Sequence, residues 1–188
     1  SSIMTKILAI SGSLRRESFN TAILKTLGDS LSGVDFEIFP LNDVPLYDQD
    51  LDTATPPAGV AALRRAILEA DGVIVASPEY NYGVSGVLKN ALDWASRPYG
   101  KSAFNRKPVM TLTASPAFTG GVRAQSSLHE TLFAVGARPL ARAQIVVALV
   151  HEKVKDGRLV DEPTLGFLKA GADDLLKEIA RLKVAVGA

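Results

Sequence analysis

The 188-residue chain contains no cysteine and only two histidines. The absence of cysteine excludes disulfide bonds, thiol nucleophiles and thiolate metal sites, and it fits a reducing compartment. Neither His129 nor His151 has a second histidine or a carboxylate at metal-ligand spacing, so no metal site is expected. Any redox chemistry would therefore depend on a bound organic cofactor.

A strong net charge and long apolar runs are also missing. The chain has 21 Lys and Arg against 20 Asp and Glu, which leaves no basic footprint for nucleic acid or an anionic membrane. The longest apolar stretches, such as 145–150, fall far short of the ~20 residues of a membrane helix, and no signal-peptide pattern opens the chain. We therefore expect a soluble, cytoplasmic protein whose partners are small molecules or copies of itself.

Five short apolar runs alternate with five helical patterns. The runs are 7–11, 34–39, 73–77, 109–115 and 145–150, and the helical patterns are 20–31, 59–70, 84–96, 121–135 and 162–186. This alternation predicts a parallel sheet, and the nearly continuous apolar character of the runs predicts helices on both of its faces. The sequence thus predicts one α/β domain over 1–188 with three α/β/α layers and a short N-terminal extension at 1–5.

The loops after the first, third and fourth strands are the candidate site, because ligands of doubly wound sheets bind outside the carboxyl ends of the strands. A further loop, 41–57, contains three prolines and four aspartates and has no periodicity of its own. It is predicted to lie on the surface, over the site. Neither a P-loop motif nor a G-x-G-x-x-G motif is present, which excludes P-loop NTPases and dinucleotide-binding Rossmann proteins.

The loop after the first strand, residues 11–20, reads SGSLRRESFN and leads into a helix. Helix N-termini bind anions through their free N–H groups and their dipole. Ser13, Ser18 and Asn20 can add side-chain hydrogen bonds to a phosphate, and Arg15 or Arg16 can add charge. The alternative is that Ser18 only caps the helix and the arginines are solvated.

The loop after the third strand, residues 77–83, reads SPEYNYG. Two tyrosines, Tyr80 and Tyr82, could flank a planar ring, and the backbone from Glu79 to Asn81 could pair with the pyrimidine end of an isoalloxazine. The alternative is ordinary packing of the tyrosines between loop and helix. In the helix that follows, Trp94 is assigned to the core.

The loop after the fourth strand, residues 113–116, reads TASP and is followed by a Gly-Gly pair. These small residues can close over the edge of a cofactor, and Ser115 is the expected contact. On the next helix, Arg123 and Gln125 lie either on a solvated face or against a second subunit or a pyridine-nucleotide phosphate. Both histidines are expected to be structural or exposed.

Three stretches taken together, GSLRRESFN at 12–20, SPEYNYG at 77–83 and LKNALDW at 88–94, resemble the NADPH-dependent FMN reductase family, which includes chromate and quinone reductases. The resemblance implies a flavodoxin-like fold with a five-stranded parallel sheet of order 2-1-3-4-5. It also implies noncovalent FMN and a homodimer or homotetramer. The chain departs from the family pattern at Ser85, where a proline is frequent, and at His129, where many relatives carry arginine.

The same resemblance assigns the cofactor contacts. We call the loops after the first, third and fourth strands the first, third and fourth loops. The phosphate end of FMN would lie at the first loop, the ring at the third loop and the edge of the ring at the fourth loop. The residues are Ser13, Leu14, Arg15, Arg16, Ser18, Phe19 and Asn20, then Pro78, Glu79, Tyr80, Asn81, Tyr82 and Gly83, and finally Ser115. No catalytic side chain is assigned, because the flavin carries the chemistry.

The activity that the resemblance implies is electron transfer from NADPH or NADH through FMN to a soluble acceptor. Quinones, chromate, azo compounds and free flavin are the acceptors considered. The alternative is a flavodoxin-type electron carrier that does not oxidise NAD(P)H itself, but such carriers are usually strongly acidic and this chain is not. A signalling receiver of the same topology would need acidic residues where Gly12 and Ser77 stand.

Overall fold

A parallel sheet with helices on both sides is the centre of the structure, a computed structural model that describes residues 4–187. The elements are β1 (Thr5–Ser11), α1 (Phe19–Ser30), β2 (Val34–Phe39), α2 (Ala58–Glu69), β3 (Gly72–Ser77), α3 (Gly86–Ala95), β4 (Pro108–Ala114), α4 (Val122–Ala134), β5 (Arg138–Pro139), β6 (Val146–Val147), β7 (Val154–Lys155), β8 (Arg158–Leu159) and α5 (Glu162–Gly187), with single 3-10 turns at Gln49–Leu51 and Val150–Glu152. Of the predicted N-terminal extension at 1–5, residues 1–3 lie outside the described residues, and β1 begins at Thr5.

The sheet has the order β2-β1-β3-β4-β5 with all strands parallel, and β6 also pairs with β4. The predicted fold class and strand order are therefore confirmed. Because successive side chains of a strand point to opposite faces, β1 contributes to two cores. Ile7 and Ala9 pack on the side of α1 and α5, whereas Leu8 and Ile10 pack on the side of α2, α3 and α4.

The second strand differs from the fully covered strand that was predicted. Strand β2 lies at the edge of the sheet and alternates partly buried residues with the exposed carboxylates of Asp35 and Glu37. Charged side chains on an edge strand hinder pairing with another chain. The alternation in the sequence VDFEIF already carries this information.

The predicted fifth strand at 145–150 is wrong in its extent. Only Val146–Val147 pairs with β4, and the outer position is shared with the two residues of β5. Between β5 and β6 the chain does not continue as a strand along β4. There the Gln125 side chain of α4 donates from Nε2 to the Ile145 carbonyl (2.8 Å) and to Thr113 Oγ1 (3.1 Å). Leu149, with a left-handed φ of 51°, ends the strand on the other side.

Gln125 is fully buried, so neither the solvated face nor the intermolecular contact expected for it is correct. Its Oε1 accepts from Thr111 Oγ1 at 3.0 Å, which uses the only proton of that hydroxyl. The Nε2 atom of His129, 2.7 Å from the same Oγ1, must therefore donate. Burial lowers the pKa of His129 from its usual 6.5. His129 is therefore structural, which is one of the two alternatives that the sequence left open for the histidines.

The loop at 41–57 is fastened to the helices beside it. Tyr47 donates its N–H to Asn90 Oδ1 at 2.7 Å, and Trp94 donates from Nε1 to the Pro45 carbonyl at 2.7 Å. Trp94 is fully buried, which confirms its assignment to the core. The loop packs against α3 through these bonds. None of its residues lines the cleft at the carboxyl ends of β1, β3 and β4, but Leu41 and Asn42 line a neighbouring cleft together with Ser13 and Arg15. No helix within residues 4–187 combines the length and apolarity needed to span a membrane.

Candidate functional site

A cleft of about 280 Å³ opens at the carboxyl ends of β1, β3 and β4, and we call it the central cleft. It is formed by the three loops that the sequence singles out, at the place where doubly wound sheets bind ligands. Its lining consists of Ser13, Arg15, Ser18, Phe19, Asn20, Pro78, Glu79, Tyr80, Ala114, Ser115 and Pro116. Nine of these eleven residues belong to the predicted site. Ala114 and Pro116 belong to the TASP stretch that the sequence singles out, but only Ser115 of that stretch was predicted as a contact.

The first turn of α1 faces the central cleft with free backbone donors. Ser18 caps the helix, because its Oγ accepts from the Thr21 N–H at 3.2 Å. The N–H groups of Phe19 and Asn20 have no acceptor among residues 4–187. Free N–H groups and the helix dipole make this end attractive to an anion. The capping role of Ser18 and an anion site are thus compatible, although they were alternatives in the sequence.

Asn20 carries an unsatisfied hydrogen-bond acceptor. The side chain is 3% exposed and lines the central cleft, and within the described part of the chain its Oδ1 has no hydrogen-bond partner. A buried polar atom left without a partner costs about 1 to 3 kcal/mol. The cleft therefore offers, at one place, backbone donors that need an acceptor and a side-chain oxygen that needs a donor.

Arg15 is held at the rim of the central cleft by its own loop. Its Nη2 donates to the Glu17 carbonyl at 3.0 Å, and its guanidinium lies over the Phe19 ring at 4.9 Å from the ring centroid. Leu14 and Arg16, by contrast, do not line the central cleft: Leu14 lines one neighbouring cleft and Arg16 lines two. The first loop thus divides its predicted ligand residues among three clefts.

The tip of the third loop is a two-residue hairpin turn. Tyr80 and Gly83 exchange two backbone hydrogen bonds of 3.0 Å, and the residues between them, Asn81 and Tyr82, have φ values of 52° and 69°. Asparagine tolerates this left-handed region, whereas a bulky residue such as Tyr82 is strained there. Tyr80 is 56% exposed and lines the central cleft, while Asn81, Tyr82 and Gly83 lie beyond the lining.

Two contacts fasten this hairpin to α4. The Glu79 Oε2 accepts from the Ala124 N–H at 2.7 Å, and the Arg123 guanidinium lies over the Tyr82 ring at 3.9 Å from the centroid. The negative carboxylate at a helix N-terminus is favourable on charge grounds. Helix α4 begins after Gly121, which has no side chain to cap it, and this missing cap was the sequence signal for the role of Glu79.

Ser85 joins the third loop to the first. Its Oγ donates to the Gly12 carbonyl at 2.6 Å and accepts from the Leu88 N–H at 3.3 Å, which also caps α3. A proline at this position could make neither side-chain bond. The departure of the chain from the family pattern at Ser85 therefore supplies a direct link between two walls of the central cleft.

Ser85→Ala is expected to lower the free energy of unfolding by about 1 to 2 kcal/mol, because a buried carbonyl and a helix N–H both lose their partner. Urea denaturation followed by circular dichroism measures the change. The matched control is Ser96→Ala, which removes a half-buried hydroxyl that donates to the Asp93 carbonyl at the other end of α3. Equal losses in the two variants would contradict a special role of Ser85.

Ser115 lies at the bottom of the fourth loop and is nearly buried. Its Oγ accepts from the Ala117 N–H at 3.1 Å, and its backbone N–H donates to the Val147 carbonyl at 3.0 Å. These bonds fix the loop against β6. The hydroxyl proton remains available to a ligand in the central cleft.

A larger cleft, of about 520 Å³, lies at the opposite, amino end of the sheet, and its two lysines are already engaged. Lys107 donates to the Ala70 carbonyl at 2.5 Å, and Lys183 pairs with Asp71 at 3.3 Å. Burial lowers the pKa of Lys107, and the charge of Asp71 acts in the opposite direction. No group of His, Asp and Glu suited to a metal ion occurs within residues 4–187. The central cleft is thus the better candidate.

Comparison with known proteins agrees with the geometry. The family model of NADPH-dependent FMN reductases matches residues 5–152. The chain is 36% identical to an NAD(P)H-dependent FMN reductase of Pseudomonas aeruginosa over 95% of its length and 97% of that protein, and 35% identical to a quinone reductase of Escherichia coli over the same shares.

Among solved structures, the flavoenzyme NAD(P)H:(acceptor) oxidoreductase FerB of Paracoccus denitrificans superposes with a TM-score of 0.85 at 32% identity. The match covers 94% of this chain and 98% of that one. Similarity thus extends over sequence, length and fold. The chain belongs to the NADPH-dependent FMN reductase family.

Proposed function

We propose that the chain holds FMN in the central cleft and uses it to pass electrons from NADPH or NADH to quinones. The observation that carries the proposal is the pairing of an unsatisfied Asn20 oxygen with the free N–H groups at the start of α1. A ligand that satisfies both must present a hydrogen-bond donor close to an anionic acceptor. The ribityl phosphate of FMN has this combination of hydroxyl groups and phosphate.

The phosphate end is assigned to the first loop. The Phe19 and Asn20 N–H groups would meet phosphate oxygens, and the Asn20 Oδ1 would accept from a ribityl hydroxyl. Ser13 and Arg15, which also line the central cleft, add a hydroxyl and a positive charge. The Ser18 hydroxyl is already the helix cap, so its contribution to phosphate binding is through its donor proton.

The ring end is assigned to the third and fourth loops. Pro78, Glu79 and Tyr80 line the central cleft from the loop after β3, and Ser115 lines it from the loop after β4. The backbone N–H groups of Asn81 and Tyr82 have no acceptor among the described residues and are free for the polar edge of a flavin. Gly83 closes the hairpin that presents them.

Bound FMN supplies two-electron chemistry, with a hydride taken from a nicotinamide and two electrons delivered to an acceptor. The chain itself orients the ligands and excludes water. Glu79, an obvious candidate for an acid or base in the cleft, is committed to the Ala124 N–H and so to holding the hairpin against α4. We therefore propose no catalytic side chain.

Quinones are the proposed acceptor class because curated relatives are named quinone reductases, and because a planar ring matches the exposed Tyr80 beside the cleft. Chromate, azo compounds and free flavin are the other acceptors to test. The relatives are named reductases and give no support to the electron-carrier alternative.

We also propose that copies of the chain associate and that the protein is cytoplasmic. Phe118 and Phe133 are 83% and 80% exposed, respectively, which supplies apolar surface for a homodimer or homotetramer. The lack of cysteine suits the reducing cytoplasm. Sedimentation of the purified protein measures the number of copies.

The test is an absorbance spectrum of the purified protein with FMN, followed by anaerobic NADPH or NADH and then a quinone. We expect bound flavin, bleaching of its visible band by the nicotinamide and return of the band with quinone. Bound flavin that neither nicotinamide bleaches would favour the electron carrier. Failure of the protein to bind flavin would overturn both functions.

A further inference from the structure

Arg123, in the first turn of α4, belongs to neither end of the proposed FMN site. Its guanidinium lies over the Tyr82 ring at 3.9 Å from the centroid, and it forms no ion pair among residues 4–187. This short distance is that of a stacked guanidinium, whose N–H groups at the edge stay free to donate. Arg123 is exposed, and it therefore presents a positive charge that no carboxylate in the described part of the chain neutralises.

This charge lies beside the ring end of the central cleft. Ala124, the next residue of α4, donates its N–H to Glu79 Oε2 at 2.7 Å, and Glu79 lines the cleft. Tyr82, on which the guanidinium stacks, is two residues beyond Tyr80, which also lines the cleft. Arg123 thus lies at the rim of the ring end, where an acceptor would enter.

The unneutralised charge at this rim is positive. Residues 77–86 and 113–126, which contain the third and fourth loops and the start of α4, include one acidic and one basic residue, Glu79 and Arg123. The Glu79 carboxylate is bound at a helix N-terminus, where the partial positive charge of the helix opposes it. Arg123 has no such partner. Over a Debye length of about 8 to 10 Å, its charge favours a negatively charged ligand.

Tyr82 fixes the position of this charge. Two backbone hydrogen bonds of 3.0 Å between Tyr80 and Gly83 hold the hairpin, and Tyr82 has a left-handed φ of 69° within it. An exposed ion pair usually gains little, because two long side chains lose rotamer freedom when they pair. A guanidinium that is already ordered by stacking loses less of this freedom, so Arg123 discriminates better than a freely moving cation.

A planar anion matches these features. The proposed acceptors are quinones, and a quinone without an acidic group is neutral. A quinone with a hydroxyl group beside one carbonyl is a vinylogous carboxylic acid and is ionised at neutral pH. Its negative charge is delocalised in the plane of the ring and can accept hydrogen bonds from the N–H groups of a guanidinium.

We infer that Arg123 selects ionised hydroxyquinones over neutral quinones as acceptors. This inference rests on the proposed reduction of quinones. The reaction adds one hydride equivalent from the nicotinamide and one proton from water to the quinone, and it gives the hydroquinone. The ionised hydroxyl is neither oxidised nor reduced and serves recognition alone.

The first test compares kcat/KM for 2-hydroxy-1,4-naphthoquinone, which is ionised at neutral pH, with kcat/KM for 2-methoxy-1,4-naphthoquinone, a neutral acceptor of similar shape. In Arg123→Gln the ratio of the first value to the second should fall about fivefold, the upper range for an exposed ion pair. Arg123→Lys keeps the charge and should retain most of the ratio. Lys101→Gln is the matched control, because it removes an exposed cation that does not line the central cleft, and it should leave the ratio unchanged.

The second test measures binding without turnover. Calorimetry follows 2-hydroxy-1,4-naphthoquinone binding to the FMN-loaded protein in the absence of a nicotinamide, at low and at high ionic strength. We expect salt to weaken binding to the unaltered protein and to have less effect on Arg123→Gln, because salt screens the charge that the variant lacks.

An unchanged kcat/KM ratio in Arg123→Gln would overturn the inference and leave the proposed function standing. Effects of Arg123 on the nicotinamide or on association of copies are common to both acceptors and cancel in the ratio. An equal fall of the ratio in Lys101→Gln would indicate a response to net charge alone and would also overturn the inference. If neither quinone is reduced, the proposed function fails, and the binding measurement still tests whether Arg123 holds the anion.

Discussion

Replacement of Asn20 by leucine is expected to stabilise the FMN-free protein by about 1 to 2 kcal/mol and to weaken FMN binding at least about tenfold. The stabilisation follows because the variant removes a buried oxygen that has no partner among the described residues. The loss of affinity follows because the same oxygen is the proposed acceptor for a ribityl hydroxyl. Urea denaturation of the FMN-free protein and titration of FMN fluorescence measure the two effects.

The matched control is Thr26→Val, a polar-to-apolar change on the same helix. The Thr26 Oγ1 accepts from the buried Leu159 N–H at 3.1 Å, so its removal leaves that donor unpaired. We expect the control to destabilise the protein by about 1 to 3 kcal/mol and to leave FMN affinity unchanged. Destabilisation by Asn20→Leu with unaltered FMN affinity would mean that Asn20 serves folding and that the central cleft is not the FMN site.

Gly59→Ala is expected to lower the free energy of unfolding by about 3 kcal/mol or more. A Cβ at Gly59, in the first turn of α2, would lie 2.0 Å from the Asp43 carbonyl oxygen and 2.8 Å from its carbon. Both atoms belong to the backbone, so no side-chain rotation can relieve the contact. Either α2 or the loop at 41–57 has to move.

The same substitution at Gly166 provides the control for Gly59→Ala. Gly166 lies in α5, is exposed, and would place its Cβ at least 4 Å from any neighbouring atom. Because alanine is a better helix former than glycine, Gly166→Ala should gain up to about 1 kcal/mol. Chemical denaturation measures the free energy of unfolding of both variants. A similar change at the two positions would rule out close packing at Gly59 as the cause.

The central strands and their order could be predicted because each is an unbroken apolar run between turn residues. The edge of the sheet beside β4 could not be predicted, because the path of the chain between β5 and β6 depends on one side chain from another element. Gln125 occupies hydrogen-bonding positions between β5 and β6. In the sequence it is only a polar residue on a helix, and nothing local marks it as buried.

The candidate site shows the same division. The three loops could be located because the carboxyl ends of neighbouring parallel strands meet at one edge of the sheet. Which residues of each loop line the central cleft could not be predicted, because that depends on backbone conformation. The left-handed turn at Asn81 and Tyr82 turns these residues beyond the lining, and the first loop directs Leu14 and Arg16 away from the central cleft.

The contact between Glu79 and α4 has a consequence for how this region tolerates mutation. Gly121 has a φ of 85°, and a Cβ there would lie 3.0 Å from Thr113 Cβ, so a serine or aspartate cannot readily replace it and cap the helix locally. For this cap the helix therefore depends on the carboxylate of Glu79, which lies 45 positions before Ala124 in the chain. Selection for a stable α4 alone would keep Glu79, whatever the ligand requires. Intolerance to substitution at this position thus says nothing by itself about contact with a flavin, and a mutational scan must read stability and ligand binding separately here.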